Sequence, residues 1–396
     1  VLLIGGWICC VALFKPRIAI LGLFGILPFV YFFKRLEFFL YRDPTSEYNN
    51  LVSLIPEFII VALLFSAFLR NAIKKRLSLP KDRFSWLLIL FLTITFLQIF
   101  NPRSAIGVGL YGFRLFGFYI FVYFLGVQWG EDTKYLKLVF RSIVVIAFFV
   151  SLYGILQHIL VFPVWDRVWV NAFLTRASLS WARGNVFAIS ELRSWATLHS
   201  PQAASNYFAL CLVLAFSWFK QLKQPLYKIM MVFIMVSITV AMVLTATRGG
   251  WVGAIAALVV ANALVMTSRI VKKRSRVFVA LFLALLVAIV LGSVMTRLSA
   301  PMLVRLGSIG ERLVSLSDPL NSRQIKGRLV TWDIIISRSD FLGQGIGKTG
   351  AGGTRFVSES SLRASDNVYL KVLYELGIIG AVVFVMLIFA SLRLAW

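Results

Sequence analysis

The sequence predicts an all-α polytopic membrane protein of about 11–12 transmembrane helices, and three observations predict it. Of 396 residues, 60% are hydrophobic and 14% charged, whereas soluble domains run at ~45–50% apolar and ~25% charged. A soluble globule of that composition would expose large apolar patches. Apolar runs of roughly 14 to 23 residues recur along the chain, close to the ~20 that cross a bilayer core. The formal charge of +25 is split among short stretches between those runs, as expected of loops flanking spans rather than of a nucleic-acid surface. A lipid bilayer is therefore the expected partner, and nucleic acid is not. Cys9, Cys10 and Cys211 all lie in apolar segments, so neither a disulfide framework nor a zinc spacing arises.

Taken in order, the expected spans are about 1–14, 18–33, 53–69, 84–100, 107–127, 139–161, 203–219, 227–246, 250–267, 277–294 and 377–395. Lys15-Pro16-Arg17 separates the first two. Short basic stretches fix the orientation, because Lys and Arg accumulate in cytoplasmic loops. Residues 70–83, 220–228 and 268–276 are such stretches, and alternation puts all three on the same side. The long loops 162–202 and 295–376 then face outward. The chain opens with Val inside an apolar run, so a twelfth span is expected ahead of it. Three regions follow. Residues 1–294 form a helical bundle with outer loop 162–202, 295–376 form a large extracytoplasmic loop with amphipathic helices, and 377–396 form the final span.

The two faces differ in their cations. Lys prevails inside, whereas the outer loops carry mostly Arg, among them Arg167, Arg176, Arg183, Arg193, Arg305, Arg312, Arg355 and Arg363. A guanidinium is a planar fork suited to phosphate and carboxylate. An anionic ligand on the outer face is the expectation.

Metal chemistry has little to draw on. No Asp-x-Asp occurs, and His158 and His199 are the only histidines; no metal and no cofactor are expected. His158 reads as a local hydrogen-bonding residue, and His199, just before Ser200-Pro201, as a helix cap. Gly345, Gly347 and Gly350 fit G-x-G-x-x-G, and Gly347-Lys348-Thr349 imitates the end of a P-loop. Leu342 stands where a P-loop needs Gly, and no βαβ pattern surrounds it. A flexible or tightly turning outer loop, which can still border a substrate, is expected there instead of nucleotide binding.

Arg248 lies in Thr245-Ala-Thr-Arg248-Gly249-Gly250-Trp251 between two apolar runs, with almost no loop to hold it in water. An ionisable residue so placed points to function. Arg114, between Gly112 and Gly117 in another span, raises the same expectation. In the last outer loop, residues 300–316 carry apolar side chains at helical spacing, fitting a helix on the membrane surface. Arg328 and Trp332 are one helical turn apart and would share a face. Asp366, ahead of Asn367 and Tyr369, has a helix N-cap as its ordinary reading. Trp165, Trp169, Trp181 and Trp195 are expected to seat at the membrane interface, with stacking on sugar as the alternative.

Thr247-Arg248-Gly249 with Trp251, Arg328 with Trp332, the glycines of 343–347, and Asp366-Asn367-x-Tyr369-Leu370 through Glu375-x-Gly377 occur in that order. This pattern resembles the O-antigen ligase and O-antigen polymerase superfamily over about residues 200–395. The resemblance implies a GT-C-like glycosyltransferase in the bacterial cytoplasmic membrane, its active site facing the periplasm or cell exterior. The implied donor is an undecaprenyl-diphosphate-linked glycan. The implied acceptor is a sugar hydroxyl on a glycan or on another lipid-linked glycan, with no metal, nucleotide or other cofactor. Arg248, Arg328 and Asp366 fall on the catalytic positions. Asn367 and Tyr369 are expected to position sugar hydroxyls, and Arg114 and Trp332 are expected to join them in binding substrate. Ligases usually carry His-Asn where this chain has Asp366-Asn367, which favours a polymerase. Ligation to lipid A core or to protein remains open. A transporter of an anionic lipid or solute is the alternative from another class, although no internal repeat supports it.

Overall fold

A computed structural model describes residues 2–41, 52–73, 82–130, 132–160, 162–173, 193–267, 323–349 and 367–395. Every regular element among them is helical. We label these α1 (Leu2–Phe14), α2 (Pro16–Tyr41), α3 (Val52–Ile73), α4 (Arg83–Phe100), α5 (Ile106–Trp129) and α6 (Thr133–Ile159). They continue as α7 (Val164–Phe173), α8 (Pro201–Gln221), α9 (Pro225–Leu244), α10 (Arg248–Thr267), α11 (Arg323–Ser337) and α12 (Val368–Ala395). Eight described helices are long and apolar enough to cross a membrane: α2 to α6, α8, α9 and α12. The chain is thus a polytopic helical membrane protein. The expected span 277–294, the amphipathic stretch 300–316 and Trp181 lie outside the described residues.

The helix boundaries follow from local chemistry. Pro201 and Pro225 sit in the first turns of α8 and α9, where the missing N–H costs nothing. Ser200 caps α8 by accepting from the Ala203 N–H at 3.1 Å; the cap expected of His199 belongs to its neighbour. His199 instead stands beside the Tyr31 ring, centroids 5.1 Å apart. Asp82 caps α4, accepting the Ser85 N–H at 2.7 Å, and that bond chiefly holds its carboxyl below the ordinary 3.8. Asp132 caps α6 through the N–H groups of Tyr135 and Lys134. Its carboxyl is likewise lowered, first by Tyr135. The second helix runs on to Tyr41, past the end expected near residue 33, with a 3-10 turn at Leu27–Phe29 around Pro28. An interior proline removes one helical hydrogen bond, and a tighter turn accommodates it.

The chain divides into two compact units: Val1–Ala62 with Asp132–Ser317, and Leu63–Glu131 with Asp318–Trp396. In the first, α6, α8, α9 and α10 pack on one another. Their shared core joins Ala147 and Val150, Phe208, Cys211 and Ala215, Ile238 and Ala241, and Trp251 and Ala254. Hydrocarbon tails are as apolar as Leu, so small residues that permit close packing, together with interhelical hydrogen bonds, drive such association. The hydroxyls of Ser151 and Ser237 supply one such bond at 2.7 Å. In the second unit, α12 packs along α4, and α5 packs against the end of α4. Phe91, Ile99, Ile346, Val372, Leu376 and Val383 form that core. Exposed Phe58, Phe65, Phe149, Phe233 and Phe389 are what lipid-facing surfaces require.

Polar contacts within each unit join segments that alternation assigns to one side. Arg17 pairs with Asp132 at 3.1 Å, and Asn71 with Gln128 at 3.1 Å. Arg103 pairs with Asp340.

Candidate functional site

In the first unit the site is built around the turn between α9 and α10. α9 stops at Leu244 because Ala246 takes a left-handed φ of 48°, which costs a non-glycine residue about 1–2 kcal/mol. Thr247 follows, and its carbonyl accepts the N–H groups of Gly250 and Trp251 at 3.2 and 3.4 Å. Arg248 is therefore the first helical residue of α10. Gly250 packs against Ser205 of α8 so closely that any Cβ would collide with it. The indole of Trp251, 4% exposed, donates back to the Met242 carbonyl at 3.1 Å.

Residues 193–197, which precede α8, lie buried against this turn. Ser194 N–H donates to the Leu244 carbonyl at 3.2 Å. Arg193 donates through Nε to the Thr245 carbonyl at 2.9 Å and through a terminal nitrogen to Thr247 Oγ1 at 2.6 Å. Gln157 of α6, fully buried, holds the same segment from the other direction. Its Oε1 accepts from Trp195 N–H, Ala196 N–H and the Ser194 hydroxyl, each at 3.0 Å. Its Nε2 donates to Asp166 Oδ2 at 2.7 Å.

Asp166 also accepts from the Tyr153 hydroxyl at 2.7 Å and pairs with Arg35 Nε at 2.9 Å. Arg35 in turn donates to the carbonyls of Ala196 and Leu198 at 2.7 and 3.0 Å. Arg35 and Asp166 are 3% and 0% exposed. This ion pair is absent from the sequence reading. An ionisable residue at the end of an apolar run, followed by Leu-Glu-Phe-Phe-Leu-Tyr, was the available signal. Of the tryptophans expected at the interface, Trp195 departs from that expectation. Trp195 is buried at 2% exposure beside Phe162, and Trp165 donates to the Tyr153 hydroxyl at 2.7 Å. Trp169 packs edge-on against Phe38.

In the second unit a glycine-rich loop after α11 takes the place of that polar scaffold. Gly343, Gly345 and Gly347 have φ of 82°, 99° and 92°, so the stretch is a sequence of tight turns, as the glycines suggested. Asp340 Oδ1 accepts the Gly343 N–H at 2.6 Å and starts the turn. Gln344 and Gly345 donate their N–H groups to the carbonyls of Tyr374 and Glu375 at 2.8 and 3.2 Å, and Ile378 donates to the Asp340 carbonyl. The loop thus inserts where α12 is broken at Gly377, whose φ of 73° and ψ of −175° are not helical. A Cβ on Gly377 would strike the Phe341 carbonyl and the Gly343 backbone. The break satisfies backbone groups that an interrupted helix would otherwise leave unpaired.

The loop ends at Thr349, whose N–H and hydroxyl both donate to Glu375 Oε1, at 2.8 and 2.6 Å. Glu375 is 1% exposed. Beneath the loop, Gly112 of α5 touches Gly347 backbone to backbone. This contact accounts for one of the glycines flanking Arg114 in sequence. Asn101, between α4 and α5, donates to the Gly343 carbonyl at 3.0 Å. Arg114 itself occupies the last turn of the first part of α5, half-buried.

The other expected residues fall as follows. Arg328 and Trp332 both lie on α11, four residues apart, and Trp332 is half-buried. Ile335 of the same helix packs with Leu370 and Tyr374 of α12. Asn367 caps α12, its Oδ1 accepting the N–H groups of Tyr369 and Leu370 at 3.0 and 3.4 Å. The capping role that the sequence offered for Asp366 is therefore performed by Asn367; Asp366 lies outside the described residues. Tyr369 is 56% exposed, its ring 5.9 Å from that of Phe384. Arg248 belongs to the first unit and Arg328 to the second. Among the described residues, no three His, Cys, Asp or Glu side chains group as metal ligands.

Residues 230–385 match the family model described as O-Antigen ligase. The matched stretch contains the turn at 244–247, Arg248, Arg328, Trp332, the glycine loop and the first part of α12. Neither a curated protein nor a solved structure matches the chain.

Proposed function

From the premise that this membrane protein belongs, through residues 230–385, to the O-antigen ligase and polymerase superfamily, we propose that it transfers an undecaprenyl-diphosphate-linked glycan to a sugar hydroxyl. The reaction takes place at the outer face of the bacterial cytoplasmic membrane. The family supports the coarser statement directly: this is a glycan-handling enzyme of the ligase and polymerase type, acting on lipid-linked glycan within a bilayer.

The proposed chemistry needs little apparatus. The acceptor hydroxyl oxygen attacks the anomeric carbon as the bond from that carbon to the diphosphate oxygen breaks. The hydroxyl proton passes to a base, and undecaprenyl diphosphate departs with the bonding electrons. A diphosphate is already a good leaving group, so cations that hold its oxygens contribute more than a general acid. Arg248 and Arg328 are assigned that role. Arg248 is the first residue of α10, where the helix dipole adds positive potential.

Asp366 is assigned as base. A carboxylate is intrinsically a weaker base than an imidazole. Asn367, whose side-chain oxygen caps α12, is assigned to orienting sugar. Tyr369, Trp332 and Arg114 complete the assigned substrate contacts. The observation that carries the proposal is the family match spanning both arginine positions.

Two acceptors fit this chemistry. The Asp366-Asn367 pair in place of His-Asn favours extension of a lipid-linked glycan. The description of the matching family favours ligation to a lipid core. Incubating the purified protein with undecaprenyl-diphosphate oligosaccharide and each acceptor, and sizing the products, separates the two. A lengthened lipid-linked glycan supports polymerisation, and glycan on the lipid core supports ligation. Donor flux across liposomes without any glycan product overturns transfer in favour of transport. Activity abolished by EDTA and restored only by a divalent cation overturns the metal-free mechanism.

A further inference from the structure

We propose that Arg193 is a positioning residue for Arg248, locking the α9–α10 turn in the geometry that presents Arg248 to a lipid diphosphate. The inference rests on the assignment of Arg248 made above.

The turn contains a conformation that does not hold itself. Ala246 has a φ of 48° without being glycine, and such residues persist where the surroundings over-determine them. Arg193 supplies that constraint. Its two bonds bracket Ala246, one to the Thr245 carbonyl before it and one to the Thr247 hydroxyl after it. Thr247 is also the residue whose carbonyl starts α10 through Gly250 and Trp251. A rotation of Thr247 therefore displaces both the helix start and the next residue, Arg248.

Arg193 is itself held. It is 5% exposed, its neighbour Ser194 bonds to Leu244, and the following residues are fixed by Gln157 and Arg35. A lysine has one point charge where this position uses two directed donors of a rigid fork. On composition alone Arg193 belonged with the outer arginines expected to meet an anion. The structure assigns it a different task, acting on the anion through Arg248.

The experiment is a coupling measurement. Binding of undecaprenyl diphosphate is measured in nanodiscs for the wild type, R193Q, T247V, R248A and the double variant R193Q/R248A, with thermal unfolding in parallel. R193Q is expected to weaken binding by about 100-fold, since ~1 Å of misplacement at a positioned group can cost that much. T247V, which keeps the Thr245 contact, is expected to weaken it by about tenfold. R248A is expected to weaken binding at least as much as R193Q. In the R248A background, R193Q is expected to add nothing, because residues acting through one another are non-additive.

A merely structural role for Arg193 gives multiplied losses in the double variant, and that result overturns the proposal. T247V with wild-type affinity also overturns it; this variant carries the test if R193Q does not fold. Wild-type affinity in R193Q beside weakened R248A overturns the positioning role and leaves the function intact. Wild-type affinity in R248A, or no diphosphate binding by the wild type, overturns the site assignment and this inference with it.

Discussion

The two arginine-bearing regions are held by opposite means. In the first unit, the turn before Arg248 is gripped by buried polar side chains: Arg35, Asp166, Gln157 and Arg193, all at most 5% exposed. In the second, the break in α12, the helix that α11 packs on, is met mainly by backbone through left-handed glycines at 343, 345, 347 and 377, with Glu375 as its one described buried carboxylate, held by Thr349. Buried charge in a membrane protein is costly unless every group is met. A scaffold made of it fails abruptly when one partner is lost. A glycine scaffold has little to desolvate, and it fails by steric strain when a Cβ is added. The contrast teaches that two kinds of restraint leave different mutational signatures.

The largest effect is expected from Asp166→Ala. Removing one partner of a buried ion pair costs about 3–5 kcal/mol, and here it also strands Gln157 and Tyr153. Unfolding in detergent, followed by circular dichroism, should show this loss, and a cost under about 1 kcal/mol would break the comparison from the first unit's side. Gly377→Ala comes next. Its φ of 73° and its contact with the Phe341 carbonyl imply a cost of about 1–3 kcal/mol. Gly377→Ala with wild-type stability would show that the glycine loop is not the restraint claimed. Thr349→Val is smaller, about 1 kcal/mol, because it removes the hydroxyl bond to Glu375 while the N–H bond remains.

The smallest effect is shared by both units. Asp82, exposed, and Asp132, half-buried, are caps with carboxyls held below the ordinary 3.8. A depressed folded pKa gives stability that is present above the unfolded value and lost as pH falls through the folded one. The unfolding midpoint should therefore decline below about pH 4, and the Asp82→Asn, Asp132→Asn double variant should decline less. An unchanged pH profile in that variant would remove both caps as acid-sensitive contacts.

Much of the fold was legible because the bilayer imposes length and apolarity on each span. The run expected at 203–219 is helix Pro201–Gln221, and that at 227–246 is Pro225–Leu244. Legibility ended where charge enters an apolar helix. The second span was cut short at residue 33 because Lys34, Arg35 and Glu37 interrupt the hydropathy. In the structure Arg35 remains helical because Asp166 and two carbonyls meet its guanidinium. That pairing crosses 131 positions, and one sequence carries no record of such distant partners.

The same reason hid the roles of Gln157 and Arg193. The glycine loop was easier to read, since repeated Gly points to left-handed backbone whatever its partner. Its partner, the break at Gly377, was visible only as a span boundary. Asp366 and Asn367 show the limit at single-residue resolution. Both are good N-cap residues, and only backbone geometry shows that Asn367 takes the role.

The central claim, that Arg248 and Arg328 together serve glycan transfer from a lipid diphosphate, is tested most directly by one measurement. Purified wild type, Arg248→Ala and Arg328→Ala are given undecaprenyl-diphosphate oligosaccharide and acceptor, and transferred glycan is quantified by mass spectrometry. The account predicts product from the wild type and a loss of at least about 100-fold in each variant. Wild-type yield from either folded variant would contradict it.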